Sequence, residues 1–387
     1  MNRYLLIALS VAVLVSCGKS TGEESKKEEK KDEFVVAVSA PDIFVGKNDG
    51  YNTFRIPAIV KSKDGTLLAF CEGRKNSGSD TGDIDLLLRR SIDGGNKWSR
   101  IITVWDDGSN TCGNPTPVVD PETGRIHLLM TWNFATDGKS AGDFNNGTTK
   151  DTRRVFYTYS DDDGVSWSKP VEITDQAKKP EWGWYATGPC HGIVLSKGAH
   201  KGRIIVPCDA NERKEATGST TGYSLVIYSD DHGKTWHIGG TVKGGNESCA
   251  AELEDGRILL TCRASGGKRL LAWSSDGGET FSAGKANADL PDPRCQGSCL
   301  SHTWNGTPVV FHINCADASA RTKLTVKASV DGGEKWNSGY KLTALYTAYS
   351  DIVMLDDNII VIFYENGSNG SYEKISIQKT AISYILK

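Results

Sequence analysis

Short apolar runs recur along this chain, and five of them lead into the same polar phrase. Leu86-Leu87-Leu88, Val155-Phe156-Tyr157, Leu225-Val226-Ile227, Leu270-Leu271-Ala272 and Leu324-Thr325-Val326 each precede a copy of Ser-x-Asp-x-Gly-x-x-aromatic. The copies begin at Ser91, Ser160, Ser229, Ser274 and Ser329 and end at Trp98, Trp167, Trp236, Phe281 and Trp336. Apolar runs bounded by turn residues read as strands. Within the phrase, Ser and Asp side chains bond nearby backbone, Gly supplies a positive φ, and the aromatic packs onto the next strand. Each copy therefore predicts a hairpin turn. The starts are 69, 69, 45 and 55 residues apart, too long for short solenoid repeats and suited to a four-stranded propeller blade with variable loops.

A second set of strand-like runs completes the pattern: Leu67–Phe70, Arg125–Met130, Arg203–Pro207, Arg257–Cys262, Pro308–His312 and Ile359–Tyr364. Many follow an Asp-Gly, Thr-Gly or Lys-Gly turn, as hairpins do. No amphipathic helix of useful length is evident. Asp106–Pro117, Phe134–Thr152, Trp182–His191 and Asp209–Tyr223 read as irregular, and in a propeller such loops build the binding face. The expected fold is all-β, a six-bladed β-propeller of four-stranded antiparallel blades over residues 39–387, at roughly 58 residues per blade. The turn phrases announce this scaffold, and function has to come from other residues.

Composition narrows the setting. A net charge of −3 over 387 residues supplies no basic field for nucleic acid. Most of the ten Trp are expected in core and turns, with a few free to serve as sugar platforms. At the N-terminus, Arg3 precedes the 12-residue apolar stretch Tyr4–Val15, too short to span a bilayer and typical of a signal segment. Leu14-Val15-Ser16-Cys17 is similar to a bacterial lipobox. Residues 1–16 are thus expected to be a signal peptide. Residues 17–38 would be a lipidated Cys17 on a solvated Lys/Glu/Ser/Gly tether. The expected location is outside the cytoplasm, lipid-anchored to a bacterial membrane at the periplasm or cell surface. Nine further Cys give an odd count, so at least one stays free if the others pair. No Cys/His spacing suits zinc, and neither a metal nor a cofactor is expected. A monomer is expected.

Phe54-Arg55-Ile56-Pro57 stands before the run Ala58-Ile59-Val60. With the five turn phrases, which match aspartate boxes, it makes residues 50–370 closely resemble the sialidase (neuraminidase) superfamily, of the bacterial exo-α-sialidase kind. The substrate explains the residues. Sialic acid carries a carboxylate on its anomeric carbon, and Arg holds such an anion through charged, bidentate hydrogen bonds. The resemblance implies three such arginines: Arg55, Arg263 in Leu259-Leu260-Thr261-Cys262-Arg263, and Arg321 in Ala320-Arg321-Thr322, with Arg294 an alternative to the last. Glu365 matches the carboxylate that braces the first arginine. A carboxylate nucleophile about 4 Å from that anion meets roughly 4 kcal/mol of repulsion at an effective dielectric near 20, on the order of a thousandfold in rate. Sialidases use Tyr instead. The resemblance assigns the nucleophile to Tyr349 and its base to Glu247, with Tyr346 and Glu252 as alternatives. It assigns the acid/base to Asp80, six residues after Arg74, with Asp83 and Asp85 competing. Arg74 would border the carboxylate or 4-hydroxyl pocket, and Asn114 would face the N-acetyl region. Gly188-Pro189-Cys190-His191-Gly192 is similar to a bacterial rim-loop segment with Cys190 in place of Gly, and Trp182, Trp184 and Tyr185 are platform candidates.

The implied activity is a retaining exo-α-sialidase acting on sialylated oligosaccharides, glycoproteins or glycolipids. Hydrolytic or intramolecular trans-sialidases share the same machinery. A non-catalytic sialoglycan-binding lipoprotein would keep the arginines and lose Tyr349, Glu247 or Asp80. A hydrolase of neutral glucans would need paired carboxylates and has no use for three arginines.

Overall fold

The computed structural model describes residues 38–39, 41–137 and 140–387. The expected signal segment, Cys17 and the tether to residue 37 lie outside the described residues. What is described is all-β, a propeller-like arrangement of antiparallel meanders. Gly245–Glu252, Ile258–Ala264, Lys268–Ser274 and Lys285–Pro291 form one four-stranded sheet in sequence order. Ser298–Trp304, Thr307–Cys315, Leu324–Ser329 and Tyr340–Thr343 form the next. A third joins Trp182–Thr187, Ile204–Glu212, Gly222–Ser229 and His237–Lys243, with Ile193–Val194 added on Ile204–Glu212. A larger sheet holds two meanders, Thr53–Lys61 through Ile102–Trp105 and Thr111–Val119 through Val171–Glu172, which meet at the parallel pair Ile84 and Thr111.

The last sheet closes the chain on itself. Thr347–Asp356, Ile359–Asn366 and Lys374–Ala381 come from the C-terminal end, and their fourth strand, Asp42–Val45, comes from the other end. Phe44 pairs with Ile375, and Asp42 accepts Lys374 Nζ at 2.9 Å and Ser376 Oγ at 2.6 Å. Face-to-face packing of neighbouring sheets buries both sides of the second strands. Every residue of Leu67–Arg74 and of Ile126–Asn133 is buried, which is why these runs read as near-continuously apolar.

Every second-strand and turn-leading run expected from sequence lies in a strand. The turn phrase works as its chemistry requires. Ser229 Oγ donates to Asp231 at 2.8 Å and accepts Gly233 N at 2.9 Å, while Asp231 accepts Thr235 N at 2.9 Å and Thr235 Oγ1 at 2.6 Å. The other four copies repeat the Ser-to-Asp and Gly-to-Ser bonds. Gly95 shows why Gly is needed: its φ is +86°, and a Cβ would stand 3.2 Å from Leu67. Trp98, Trp236 and Trp336 are buried at the end of their turns.

Three expectations are corrected. Thr111–Val119, within the stretch expected to be irregular, is the first strand of its meander, and so is Trp182–Thr187. Gly113, Pro115 and Gly183 break the apolar pattern there, but packing against flanking sheets overrides it. The Gly188–Gly192 segment is not on the rim. Cys190 is fully buried and His191 nearly so. Gly192 N donates to Pro117 O, Ser248 N to Gly188 O and Gln296 Nε2 to Pro189 O, so the segment ties several sheets together. The nine described cysteines are all buried free thiols.

The turn carboxyls generate a prediction. Slight desolvation raises each one, but the Ser, Thr and backbone donors outweigh it. Asp93, Asp276 and Asp331 are lowered, and Asp231 falls to about 2. An unfolded Asp titrates near ~3.9, so the stabilisation is complete above that value and is lost as pH falls towards 2. Urea midpoints will drop steeply between pH 4 and pH 2, and Asp231→Asn will flatten that drop. A midpoint level across the window would refute the account.

Candidate functional site

The site is built from β-bulges at one end of the first strands. In five meanders the first and second strands slip register so that two residues oppose one. The bulged pairs are Ile56-Pro57, Asn114-Pro115, Gly183-Trp184, Asn246-Glu247 and Ala348-Tyr349. A bulge bends its strand and re-aims a side chain. Here it delivers Asn114, Trp184, Glu247 and Tyr349, with Arg55 just before the first. Two backbones are held in the left-handed region to do so, Ile56 at φ 63° and Asn114 at φ 54°. Strain of this kind costs about 1–3 kcal/mol per residue and persists only when the surroundings enforce it.

Glu365 enforces it. Its fully buried carboxylate accepts Arg55 Nε at 2.7 Å, Ile56 N at 2.9 Å, Tyr349 N at 3.0 Å and Arg55 Nη2 at 3.4 Å. One side chain thereby fixes two bulges and one arginine. Opposite the fourth bulge, Arg263 Nη1 donates to Glu247 at 2.6 Å and to the Tyr349 hydroxyl at 2.9 Å. Tyr349 in turn donates to Glu247 Oε1 at 2.5 Å. Burial and the Glu247 charge push the phenol pKa up, and Arg263 and Arg55 pull against them. The proton is therefore held on the phenol oxygen and donated to Glu247.

Arg321 joins this group. Its guanidinium lies 5.6 Å from the Tyr349 ring centre and donates to Tyr372 at 2.6 Å. Arg55 lies 5.0 Å from the Tyr349 ring and 3.9 Å from that of Tyr372. Across the mouth, Asp80 pairs with Arg74 at 2.9 Å and reaches Arg55 at 3.9 Å, with 66% of its side chain exposed. Desolvation raises the Asp80 carboxyl, but Arg74 and Arg55 together bring it below its usual value. Glu72 holds Arg74 at 2.6 Å and Asn114 N at 2.9 Å. Gly113 makes room for it, since a Cβ there would sit 2.3 Å from Glu72 Oε1.

Arg55, Arg263, Arg321, Tyr349, Glu247, Asp80, Arg74, Asn114 and Glu365 are thus brought together. The alternatives are not. Asp83 and Asp85 both pair with Lys75. Glu252, at the far end of its strand, accepts Ser196 and Lys197 backbone N–H groups. Tyr346 is 49% exposed, and Arg294 is also exposed. Trp182 and Tyr185 are buried in the core and form no platform.

Four residues were missed: Glu72, Arg153, Asp209 and Tyr372. Arg153 is 1% exposed, donates to Asn114 Oδ1 and Thr131 Oγ1 at 2.9 Å, and lies 4.0 Å from the Trp184 ring centre. No carboxylate hydrogen-bonds it among the described residues, and burial pulls it down to about 10. Asp209 is fully buried beside Asn246, and burial and Glu247 push it well up. A polar residue inside an otherwise apolar strand was the available signal, as in Glu72-Gly73-Arg74.

The arrangement is a concave cluster of five guanidiniums around a base-paired phenol, suited to a small anion. Residues 65–362 match the BNR repeat-like domain family. An exo-alpha-sialidase of Aspergillus fumigatus is 31% identical over 361 residues, covering 88% of this chain and 84% of that protein. A sialidase of Micromonospora viridifaciens is 31% identical over 87% of this chain and 53% of its own length. The chain belongs to the sialidase superfamily. Sialidases are glycoside hydrolases, and this sialidase-superfamily chain superposes on the solved structure of Hadza microbial sialidase Hz136 with a TM-score of 0.78. That match has 26% identity and covers 89% of this chain and 68% of the other.

Removing Glu365 tests the site's architecture. Glu365→Ala leaves a buried Arg55 uncompensated and will destabilise the fold by about 3–5 kcal/mol in chemical denaturation. The exposed Asp80→Ala will stay within about 0.5 kcal/mol of wild type. Equal effects would show that Glu365 does not anchor the bulges.

Proposed function

We propose that this protein is a retaining exo-α-sialidase on a six-bladed propeller, the two meanders of the larger sheet counting as two blades. The observation that carries the reading is the Tyr349–Glu247–Arg263 triangle within reach of Arg55 and Arg321. A buried phenol with its own carboxylate base suits attack on a carbon that bears a carboxylate.

Arg55, Arg263 and Arg321 hold the sialic acid carboxylate, each charged hydrogen bond contributing about 1.5–3 kcal/mol. Tyr349 Oη attacks the anomeric carbon while Glu247 takes its proton. The glycosidic bond breaks, and Asp80 protonates the leaving oxygen. Water then attacks the sialyl-enzyme, Asp80 takes the water's proton, and the departing phenolate regains its own from Glu247. Two inversions give net retention. Arg74 and Asn114 line the side of the pocket away from Tyr349, and Glu365 positions Arg55 and Tyr349. Since Tyr349, Glu247 and Asp80 are assembled together, hydrolysis is favoured over a purely sialoglycan-binding role.

Proton NMR with 3′-sialyllactose will show α-sialic acid first, then slow mutarotation to β. Free β-anomer appearing first would sink the Tyr mechanism, and a bridged anhydro product or a new sialoside would show transfer instead. Tyr349→Phe will lower kcat at least a thousandfold with the fold intact, and near-wild-type turnover would place the nucleophile elsewhere.

Asp80→Ala will cost about 10²–10⁴-fold on sialyllactose. It will cost far less on an aryl sialoside, whose phenolate leaves without protonation. A loss independent of the leaving group would remove Asp80 from the acid role.

A further inference from the structure

The connection between Ile359–Asn366 and Lys374–Ala381 carries Tyr372 to the mouth of the arginine cluster. It is held firmly. The Glu373 carboxylate accepts Ser368 N and Asn369 N at 2.9 Å, and Glu373 O accepts Gly46 N at 2.9 Å. The ring packs over Arg55, 3.9 Å from guanidinium carbon to ring centre, and the hydroxyl accepts Arg321 Nη1 at 2.6 Å. Tyr372 thus touches two of the three guanidiniums that would hold a carboxylate. It remains 39% exposed on the open side.

The hydroxyl's bonding is incomplete. A phenol both accepts and donates. Here the oxygen accepts from Arg321, and no described residue accepts the phenol's own proton. A proton on an oxygen already bonded by a guanidinium is polarised, and a charge-assisted bond to an anion is its best outlet. An anion spanning Arg55 and Arg321 lies within the reach of that proton.

We propose that Tyr372 is a fourth hydrogen-bond donor of the carboxylate subsite, passing the pull of Arg321 through its hydroxyl to the substrate's carboxylate. The proposal rests on the sialidase reading of the pocket. The ring makes a second contribution, since its face stabilises the Arg55 cation and keeps water from its open side. Tyr372 contacts the ground-state carboxylate and takes no part in the Tyr349–Glu247 hydrogen bond, so its loss belongs to binding and not to the chemical step.

The test compares wild type, Tyr372→Phe and Tyr372→Ala in two measurements. One is calorimetric binding of free sialic acid and of its methyl ester, and the other is KM and kcat on 3′-sialyllactose. Tyr372→Phe is expected to weaken sialic acid binding and raise KM about tenfold, with kcat within about twofold. The methyl ester, which has no anion to receive the proton, should lose little. Tyr372→Ala should weaken the acid further, because Arg55 also loses the ring. Tyr372→Phe binding the acid as tightly as wild type would overturn the proposal, as would equal losses for acid and ester. A wild-type protein that binds neither would overturn the reading of the pocket itself along with it.

Discussion

The site depends on one carboxylate, Glu365. Arginines concentrated at a cavity mouth repel one another, and each resists losing its water. A counter-ion in front of them would block the ligand. Glu365 has no exposed surface, and it bonds Arg55 together with the backbone of Ile56 and Tyr349. These partners come from first strands of two different sheets, 310 residues apart in the case of Arg55. The strained turn at Ile56 and the setting of the phenol therefore share one cause. Glu72 does the equivalent for Arg74 and the Asn114 bulge.

Bulges are the economical way to build such a mouth. A regular strand points alternate side chains into the packed sheets on either side. Two residues opposed to one bend the strand and free a side chain to face the axis end instead. Five meanders do this at the same register, so chemistry is added without altering the packing of second and third strands. The left-handed Ile56 and Asn114 each precede a proline, where the extended region is normally favoured. The hydrogen bonds that Glu365 and Glu72 make to the backbone at Ile56 and Asn114 offset that strain.

This division explains what could be read from sequence. Second strands are buried on both faces, and third strands end in a turn with its own hydrogen-bond chemistry, so Leu67–Arg74 and Ile84–Ser91 announced themselves. Thr111–Val119 and Trp182–Thr187 did not, because their bulge residues break both the apolar run and the period of two. Arg55, Tyr349 and Glu365 were legible jointly, through family likeness, and not from any local pattern. Arg153, Asp209 and Tyr372 matter only through neighbours distant in the chain, and such proximity leaves no trace in spacing, while Glu72, two residues before Arg74, stood out only as a charge in an apolar strand. The Asp83 and Asp85 alternatives needed the structure too, since only the pairing with Lys75 removes them from the mouth.

Arg153, even when pulled down to about 10, is charged at neutral pH, while Asp209 is pushed towards its neutral form. Glu247 accepts the Tyr349 hydroxyl and is tied to Arg263. Against desolvation, Arg74 and then Arg55 hold the Asp80 carboxyl below its usual value and ionised at neutral pH. An ionised carboxylate cannot protonate a leaving group. A bound carboxylate on Arg55 changes this, because the new negative charge cancels part of the attraction that keeps Asp80 ionised. In the proposed mechanism, substrate charge would thus raise the pKa of Asp80 at the moment the sugar is in place. In the proposed second step the negative charge is still bound, so the raised Asp80 would also be the stronger base towards water. On that proposal, the arginines that would hold the anion would also couple its arrival to proton transfer, with no moving part.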